Sequence, residues 1–268
     1  MLQLYPGDGC GNRFLIVRES EALAAGETPV SLAQRLCGRT YDGLLVLGPN
    51  TSGALAVQIL NPDGSDGGAC LNGLRVAACF TAADRGRLAM SGRVVNWRRL
   101  AGGFELQLAH ADADLQVEPF TLPDGRDGFD VAFWNPHAVF NFDAEAEECC
   151  LADFDLESFA TKVRSNLSRF PAGVNVGVVE GLGLNQEMQM RVFERGVGET
   201  AACGSGALAV AGAAWEAGAG PRIGIGMRGG RLEVERSVDG SIRLRGAART
   251  GPGKSLAELL RSECKTFR

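Results

Sequence analysis

The chain has 268 residues, 45% of them hydrophobic and 22% charged, with a formal net charge of -5. This composition is that of a globular protein of one or two domains; it excludes a disordered chain, and eight cysteines are too few for a disulfide-stapled one. The acidic balance gives no patch for nucleic acid, and without a signal-peptide pattern or a run of ~18 apolar residues we expect a cytoplasmic protein with no membrane partner.

Hydrophobic periodicity predicts short strands, broken by Gly and Asp, with helices between them. Strands are predicted at 44–47, 54–60, 104–108, 131–134, 174–179, 187–195, 231–236 and 241–245. Helices are predicted at 29–37, 71–83, 155–167 and 207–217. The helices at 71–83 and 207–217 are apolar nearly all round, which is typical of buried helices.

The two apolar helices share one kind of entrance, a glycine-rich turn with a cysteine at the helix mouth. Aligning the cysteines also aligns a glycine, an alanine and an acidic residue: Cys70 with Cys203, Gly73 with Gly206, Ala78 with Ala211 and Asp66 with Glu199. This pattern indicates an ancient duplication. We therefore predict an α+β fold of two pseudo-symmetric halves, each a sheet curled around a central helix. The halves are 1–115 and 116–258, and the tail at about 259–268 returns to the first.

A thiol at a helix N-terminus lies among unpaired N–H groups, where a cysteine pKa of about 8.5 can fall to ~3.5–7.5. Cys70 and Cys203 are therefore candidate thiolate bases, and the same N–H groups can hold a carboxylate. Two bases on opposite faces of a carbon can invert a stereocentre. The alternative is that both are small buried hydrophobes. The remaining cysteines are interpreted as core or surface thiols: Cys10, Cys37, Cys79, Cys149, Cys150 and Cys264.

Cofactor chemistry finds little support in the sequence. Lys162, Lys254 and Lys265 lie outside the glycine-rich motifs, which argues against a pyridoxal phosphate Schiff base. No CxxC spacing occurs and there are only two histidines, so no metal site is predicted. The GDGCGNRF segment has no predicted strand before it and lacks the GxGxxG spacing of a dinucleotide site. We expect an enzyme without a cofactor.

Seven motifs then occur in order along nearly the whole chain. They are GNRF at 11–14, DGLLVL at 42–47, NPDGS at 61–65, CLNG at 70–73, NPH at 135–137, FPAGVNV at 170–176 and ERGVGETAACGSG at 194–206. In these motifs the sequence resembles the diaminopimelate epimerase family. The resemblance implies cofactor-independent epimerisation of LL-2,6-diaminopimelate to the meso isomer, in lysine and peptidoglycan precursor biosynthesis, by a protein that is often a homodimer.

The resemblance also implies roles for individual residues. The acid/base pair would be Cys70 and Cys203, assisted by His137 and Glu194. The reacting carboxylate would be held by backbone N–H groups at Leu71, Asn72, Gly204 and Ser205. The rest of the substrate would be bound by Asn12, Asn61, Asn135, Asn175, Glu194 and Arg195. Taken singly, the asparagines could be turn residues, His137 a loop histidine and Glu194–Arg195 a solvated pair.

Four positions depart from the family pattern: Leu71 in place of a glycine, Arg13 in place of an aspartate, Trp134 before Asn135, and GAARTGPGK at 246–254 without the usual VF. Leu71 matters most, because a glycine there could serve a close approach of substrate or a positive φ. Two alternatives stay open. One is a racemase of the same fold for another amino acid, and the other is a thiol-redox or ligand-binding protein without turnover.

Overall fold

A computed structural model of the chain describes residues 2–113, 115–183 and 187–264. Its strands are β1 (Gln3–Gly9), β2 (Asn12–Arg18), β3 (Gly43–Thr51), β4 (Ala54–Leu60), β5 (Arg85–Met90), β6 (Arg93–Leu100), β7 (Gly103–Leu108), β8 (Gln116–Thr121), β9 (Asp127–Ala132), β10 (His137–Phe142), β11 (Asn175–Glu180), β12 (Glu187–Glu194), β13 (Gly198–Thr200), β14 (Arg222–Met227), β15 (Gly230–Arg236), β16 (Ile242–Gly246), β17 (Arg249–Thr250) and β18 (Lys254–Ser255). Its helices are α1 (Glu19–Ala24), α2 (Pro29–Leu36), α3 (Leu71–Phe80), α4 (His110–Ala113), α5 (Ala144–Glu147), α6 (Leu156–Arg164), α7 (Gly204–Glu216) and α8 (Leu256–Cys264).

These elements confirm the predicted fold class and every strand and helix predicted from the sequence, with shifts of a few residues at their ends. The largest strand shifts are four residues, at the start of β9 (Asp127) and the end of β3 (Thr51); β9 also stops early, at Ala132, where the chain bends before Pro136. The chain divides into two compact units, 1–107 with 246–268, and 108–245. The C-terminal segment of the first unit thus begins at residue 246, whereas the sequence predicted that it begins at about 259. No helix within the described ranges is long and apolar enough to cross a membrane.

The first unit is a sheet with helices on both faces. From β1 to β7 each strand pairs with the next, antiparallel except for the parallel pairs β2–β3 and β4–β5, and β1 also pairs with β17 and β18. One face packs on α3, where a Cβ at Gly73 would lie 2.8 Å from Leu45 Cδ2. The other face buries Leu15 and Leu44 together with α2. Because successive side chains of a strand point to opposite faces of the sheet, they pack into two cores, one on each face.

The second unit repeats this arrangement. Its sheet runs from β8 to β12 and on through β14 to β15, with parallel pairs at β10–β11 and β12–β14 and antiparallel pairs elsewhere. α7 packs on β8 to β11 and on β15, whereas Phe140, Val176 and Val178 pack with α6 on the opposite face. The order parallel, antiparallel, parallel, antiparallel is the same in β2 to β6 and in β10 to β15. This shared topology supports the duplication inferred from the sequence.

One prediction about the N-terminal segment is wrong. A strand, β1, does precede the GCGNRF residues, and the segment is a hairpin whose two turn residues, Cys10 and Gly11, have φ of 57° and 81°. Two successive left-handed residues give the tight turn that antiparallel strands favour, and glycine tolerates that conformation without cost. Because β2 rather than a helix follows the turn, the segment is still not a dinucleotide-binding loop.

Candidate active site

The two thiols that the sequence predicted at helix ends, Cys70 and Cys203, each occupy the N-cap position of a central helix. Cys70 has φ -137° and ψ 99°, and its Sγ accepts a hydrogen bond from Gly73 N at 3.3 Å. Cys203 has φ -132° and ψ 115°, and its Sγ accepts one from Gly206 N at 3.3 Å. Extended backbone at the N-cap followed by an N3 amide bonded to the cap is ordinary capping geometry, here with sulfur in place of oxygen. Each sulfur therefore lies among the exposed amides of a helix N-terminus.

Glycine at the third helical position allows the sulfur to come this close. A Cβ built on Gly73 would lie 3.4 Å from Cys70 Sγ, and one on Gly206 would lie 3.3 Å from Cys203 Sγ and 2.9 Å from Met190 Cε. Neither glycine has positive φ. Space, rather than backbone freedom, therefore accounts for glycine at both positions.

Cys203 is buried, with 4% of its surface exposed, and its sulfur contacts two polar side chains. Glu194 Oε2 and Ser205 Oγ each lie 3.4 Å from Sγ. Glu194 Oε1 in turn accepts a hydrogen bond from Thr200 Oγ1 at 2.5 Å, which fixes the carboxylate. Glu194 thus contacts the thiol, as the family resemblance implies.

The expectation that a helix N-terminus lowers the thiol pKa is wrong for Cys203. Burial and the adjacent Glu194 carboxylate raise the pKa of Cys203 well above its usual range, and they outweigh the hydrogen bond from Gly206 N. Desolvation and a like charge both penalise the thiolate, so Cys203 rests as a thiol. A protonated sulfur is suited to give a proton rather than to take one.

His137, Asn175 and Ser205 form a buried hydrogen-bonded row beside this thiol. Asn175 Oδ1 accepts from the backbone N of Arg195 at 2.7 Å, so its Nδ2 faces His137 Nε2 at 3.4 Å. Because Nδ2 can only donate, Nε2 is an acceptor, and Ser205 Oγ at 3.0 Å donates to it. The imidazole proton is then on Nδ1, which has no hydrogen-bond partner within the described residues.

His137 is fully buried, and this burial lowers its pKa to about 3. The imidazole is therefore neutral at physiological pH. It acts here through Ser205 and makes no direct contact with the Cys203 sulfur among the hydrogen bonds of the described residues. The row Cys203, Ser205, His137 links the thiol to the strand pair β10–β11, where His137 and Asn175 are register partners.

A pH dependence of stability follows from this histidine. Between the unfolded pKa of about 6.5 and the folded pKa of about 3, the unfolded chain binds a proton that the folded chain does not. As the pH is lowered through that window, we expect the free energy of unfolding to decrease by about 1.4 kcal/mol per pH unit because of His137. Urea unfolding at pH 6.5, 5.5 and 4.5 should give a shallower fall for His137→Asn than for the wild type. Equal slopes would contradict the assignment.

The Glu194 effect on Cys203 is testable by alkylation. Glu194→Gln removes the negative charge beside the thiol, so the pKa of Cys203 should drop and iodoacetamide should modify Cys203 faster at a fixed pH near 8. Rates are read by mass spectrometry of the Cys203 peptide. Glu216→Gln, at the far end of α7, is the matched control. An unchanged rate in Glu194→Gln would show that the carboxylate does not govern this thiol.

The other second-unit residues lie at the outer side of this cluster. Arg195 is exposed, and its Nη1 donates to Ala172 O at 2.7 Å, which leaves the planar guanidinium at the surface of the unit. Asn135 is half-buried in the bend between β9 and β10, next to Trp134, whose ring stacks on Phe133 at 5.3 Å. Gly204 is buried in the first turn of α7. Hydrogen bonds in the second unit thus join Cys203, Glu194, Ser205, His137 and Asn175 at the N-terminus of α7, and Arg195 meets this cluster through its backbone N–H.

The first-unit residues are less closely joined. Asn12 Nδ2 donates to Asp42 Oδ2 at 2.8 Å, and Asn61 Nδ2 donates to Ser65 Oγ at 3.0 Å. Leu71 and Asn72 form the first turn of α3 after Cys70, and both are buried. Leu71 has helical backbone without positive φ, so the departure from glycine strains nothing. Asn12 and Asn61 make local contacts that turn residues also make.

Arg75, a fully buried guanidinium on α3, is not among the residues that the sequence predicted for the site. Its Nη2 donates to Asn72 Oδ1 at 2.7 Å and lies 3.6 Å from Cys10 Sγ, and its Nη1 lies 3.4 Å from Leu71 O. No carboxylate in the described ranges pairs with it. Burial lowers the pKa of Arg75, and the thiols of Cys10 and Cys70 oppose that shift. The signal was present, because Arg75 is the only charged residue in an otherwise apolar helix.

The two helix ends therefore differ in charge. The duplication that pairs Cys70 with Cys203 pairs Asn61 with Glu194 and Arg75 with Leu208. Cys70 has a buried cation nearby, whereas Cys203 has a carboxylate. A neighbouring carboxylate disfavours a thiolate, whereas a neighbouring cation favours one. The charges beside the two predicted acid/base thiols therefore differ in sign.

The sequence of this chain is similar to those of known proteins. A sequence profile described as diaminopimelate epimerase matches residues 134–251. The diaminopimelate epimerase of Rhodospirillum centenum is 32% identical, over 94% of this chain and 91% of the relative. That of Sphingopyxis alaskensis is 33% identical, over 90% and 91%. The chain belongs to the diaminopimelate epimerase family. It is thus an isomerase by family, as the sequence motifs predicted.

Solved structures support the fold alone. A PhzF-family phenazine biosynthesis protein from Bacillus anthracis superposes with a TM-score of 0.68 at 13% identity, over 94% of this chain and 98% of that one. A hydroxyproline epimerase from Agrobacterium vitis, solved with trans-4-hydroxy-L-proline, gives 0.62 at 13% identity, over 94% and 90%. The fold therefore hosts more than one isomerase, and the substrate has to be argued from this chain's own residues.

Proposed function

We propose that this chain converts LL-2,6-diaminopimelate to meso-diaminopimelate with two thiols and no cofactor, in lysine and peptidoglycan precursor biosynthesis. The observation that carries the proposal is the Cys203 cluster, a buried thiol at a helix N-terminus with Glu194, Ser205 and His137 around it. The matching N-cap position of Cys70 in the first unit supplies the second base. A cytoplasmic homodimer remains our expectation.

The proton inventory of the proposed reaction is simple. The thiolate of Cys70 takes the α-proton from one face and becomes a thiol, and the electron pair stays on the α-carbon beside the carboxylate. The thiol of Cys203 then gives its proton to the opposite face and becomes a thiolate. The reverse direction restores both sulfurs. The raised pKa of Cys203 supports its role as the proton donor of the first turnover.

Carboxylate binding is assigned to the backbone N–H groups that open the two helices, at Leu71 and Asn72 and at Gly204 and Ser205. Their aligned dipoles favour an anion and also stabilise negative charge that develops next to it. Arg195 is proposed to take the distal carboxylate, since its exposed, planar guanidinium can bind one in bidentate fashion. Asn12, Asn61, Asn135 and Asn175 would complete the distal site.

A racemase for another amino acid is the second candidate. Its support is that the Asn12 and Asn61 side chains bond within their own unit, to Asp42 and Ser65. If these amides do not turn to the substrate, the distal amino-acid group loses two of its proposed contacts. Activity on an amino acid that lacks the distal group would favour this candidate.

The deciding experiment incubates reduced protein with LL-diaminopimelate in deuterium oxide. Formation of the meso isomer with deuterium at the inverted α-carbon is the expected result. Exchange only with other amino acids would shift the assignment to a racemase. Absence of exchange with all of them, in protein shown to be folded and reduced, would favour the redox or ligand-binding alternative.

A further inference from the structure

A concave pocket of about 350 Å³ lies in the first unit, at the end of α3 opposite Cys70. Its polar and aromatic wall is formed by Arg18, Asn50, Thr81, Arg85, Arg87 and Trp97. We call it the arginine pocket. α3 has ten residues and so is about 15 Å long, which separates this pocket from the Cys70 thiol. None of the predicted site residues lines it.

The arginine pocket is strongly basic. Three arginines and no Asp or Glu occur among the described residues that line it, although the whole chain carries a net charge of -5. The hairpin formed by β5 and β6 supplies two of the three, Arg85 and Arg87, whereas its Arg98 and Arg99 pair with Glu105 and Asp84. Concave surfaces lined by one sign of charge concentrate the field and attract ligands of the opposite sign.

The guanidiniums of Arg18, Arg85 and Arg87 make few hydrogen bonds within the protein, so most of their N–H donors are available to a ligand. The Arg85 backbone pairs with Arg98 in the sheet, but no hydrogen bond or ion pair joins its guanidinium to another described residue. Arg87 Nη1 donates a single bond, to Ser52 O at 3.2 Å. Arg18 Nε lies 3.7 Å from Glu21 Oε1, an exposed pair of little strength. Two acidic residues are chain neighbours of these arginines, and neither lines the pocket: Glu19 follows Arg18, and Asp84 precedes Arg85 and pairs with Arg99 at 3.6 Å. The charge of the pocket is therefore not cancelled from within.

Aromatic rings close the pocket on the side of α3. Trp97 is 4% exposed and lies across its register partner Gly86, where a Cβ would come 2.9 Å from the indole Nε1. Phe80, half-buried at the end of α3, also lines the pocket and carries Arg18 at 5.5 Å from its ring centroid. Rings beside guanidiniums offer an apolar wall for the organic part of a ligand.

We propose that the arginine pocket binds a phosphate-bearing small molecule. Guanidinium groups bind phosphoryl oxygens in bidentate fashion, and three of them match a dianion better than a single carboxylate. A volume near 350 Å³ holds one small ligand and not a length of nucleic acid. The inference is independent of the proposed epimerase activity, because it uses neither thiol.

The test is calorimetric titration of the full chain with inorganic phosphate, pyrophosphate, AMP and adenosine. We expect pyrophosphate and AMP to bind and adenosine not to bind. In the double variant Arg85→Gln, Arg87→Gln the affinity should fall about 100-fold or more, because two guanidiniums that donate charge-assisted hydrogen bonds to the phosphate are lost. The matched control is the exposed pair Arg222→Gln, Arg228→Gln in the second unit, which should bind like the wild type.

The outcomes separate the possible sources of the phosphoryl group. Tighter binding of AMP than of inorganic phosphate would identify an organic phosphate that uses the aromatic wall, and equal binding would identify free phosphate. Gly86→Ala, which displaces the indole, should weaken AMP more than phosphate. The proposal fails if none of the phosphates binds, if the double variant binds as the wild type does, or if single-stranded RNA binds more tightly than every small phosphate.

Discussion

Replacing either thiol alone is expected to abolish epimerisation. Each single variant should still exchange the α-proton of one isomer with solvent, and that isomer should differ between the two variants. In Cys70→Ala and Cys203→Ala the formation of meso-diaminopimelate should fall by about 10²–10⁴-fold, the range of a lost general acid or base. In the proposed mechanism each thiol serves one side of the α-carbon, so one side keeps its acid/base group. It can exchange the proton of the isomer that presents hydrogen to it, without inversion.

The two variants should therefore show opposite exchange patterns in deuterium oxide. Cys203→Ala, which keeps Cys70, should exchange the α-proton of the LL isomer. Cys70→Ala, which keeps Cys203, should exchange that of the D-centre of the meso isomer. Proton NMR with chromatography of the isomers follows both. Cys79→Ala, a half-buried free thiol on the same α3 helix as Cys70, is the matched control and should keep full activity. Near-normal turnover in either thiol variant would rule out the two-base mechanism.

The two helix mouths could be read from the sequence because their determinants are local. A glycine-rich turn, a cysteine and a run of small apolar residues predict a buried helix capped by a thiol, and both α3 and α7 begin at that point. Glu194 was assigned only through the family resemblance, and β12, β13 and the turn between them bring it back to the thiol at 3.4 Å. A local pattern therefore predicted the two helix ends but not the carboxylate beside Cys203.

Features that depend on distant strands could not be predicted in the same way. The helix terminus alone predicted a low pKa for Cys203, but burial of the side chain and the Glu194 carboxylate reverse the shift. The row from Asn175 to His137 depends on the register of β10 against β11, which joins residues 38 positions apart. The boundary of the first unit likewise depends on β17 pairing with β1, a contact across most of the chain.

Replacing Arg75 is expected to change both the stability of the first unit and the reactivity of Cys70. In Arg75→Met the Asn72 Oδ1 loses a buried hydrogen bond of 2.7 Å from a charged donor, which costs about 1–3 kcal/mol. The cation that favours negative charge on the neighbouring thiols is lost as well. Cys70 should then react more slowly with iodoacetamide at pH 7.5.

Arg75→Lys and Arg99→Met separate these two effects. The lysine variant keeps the positive charge but not the planar pair of donors, so it should retain more Cys70 reactivity than Arg75→Met while losing similar stability in urea. Arg99→Met removes an exposed cation of the same unit and should change neither quantity. If Cys70 reacts equally fast in folded Arg75→Met and in wild type, the buried guanidinium does not act on the thiol. Its role is then limited to holding Asn72 in the first turn of α3.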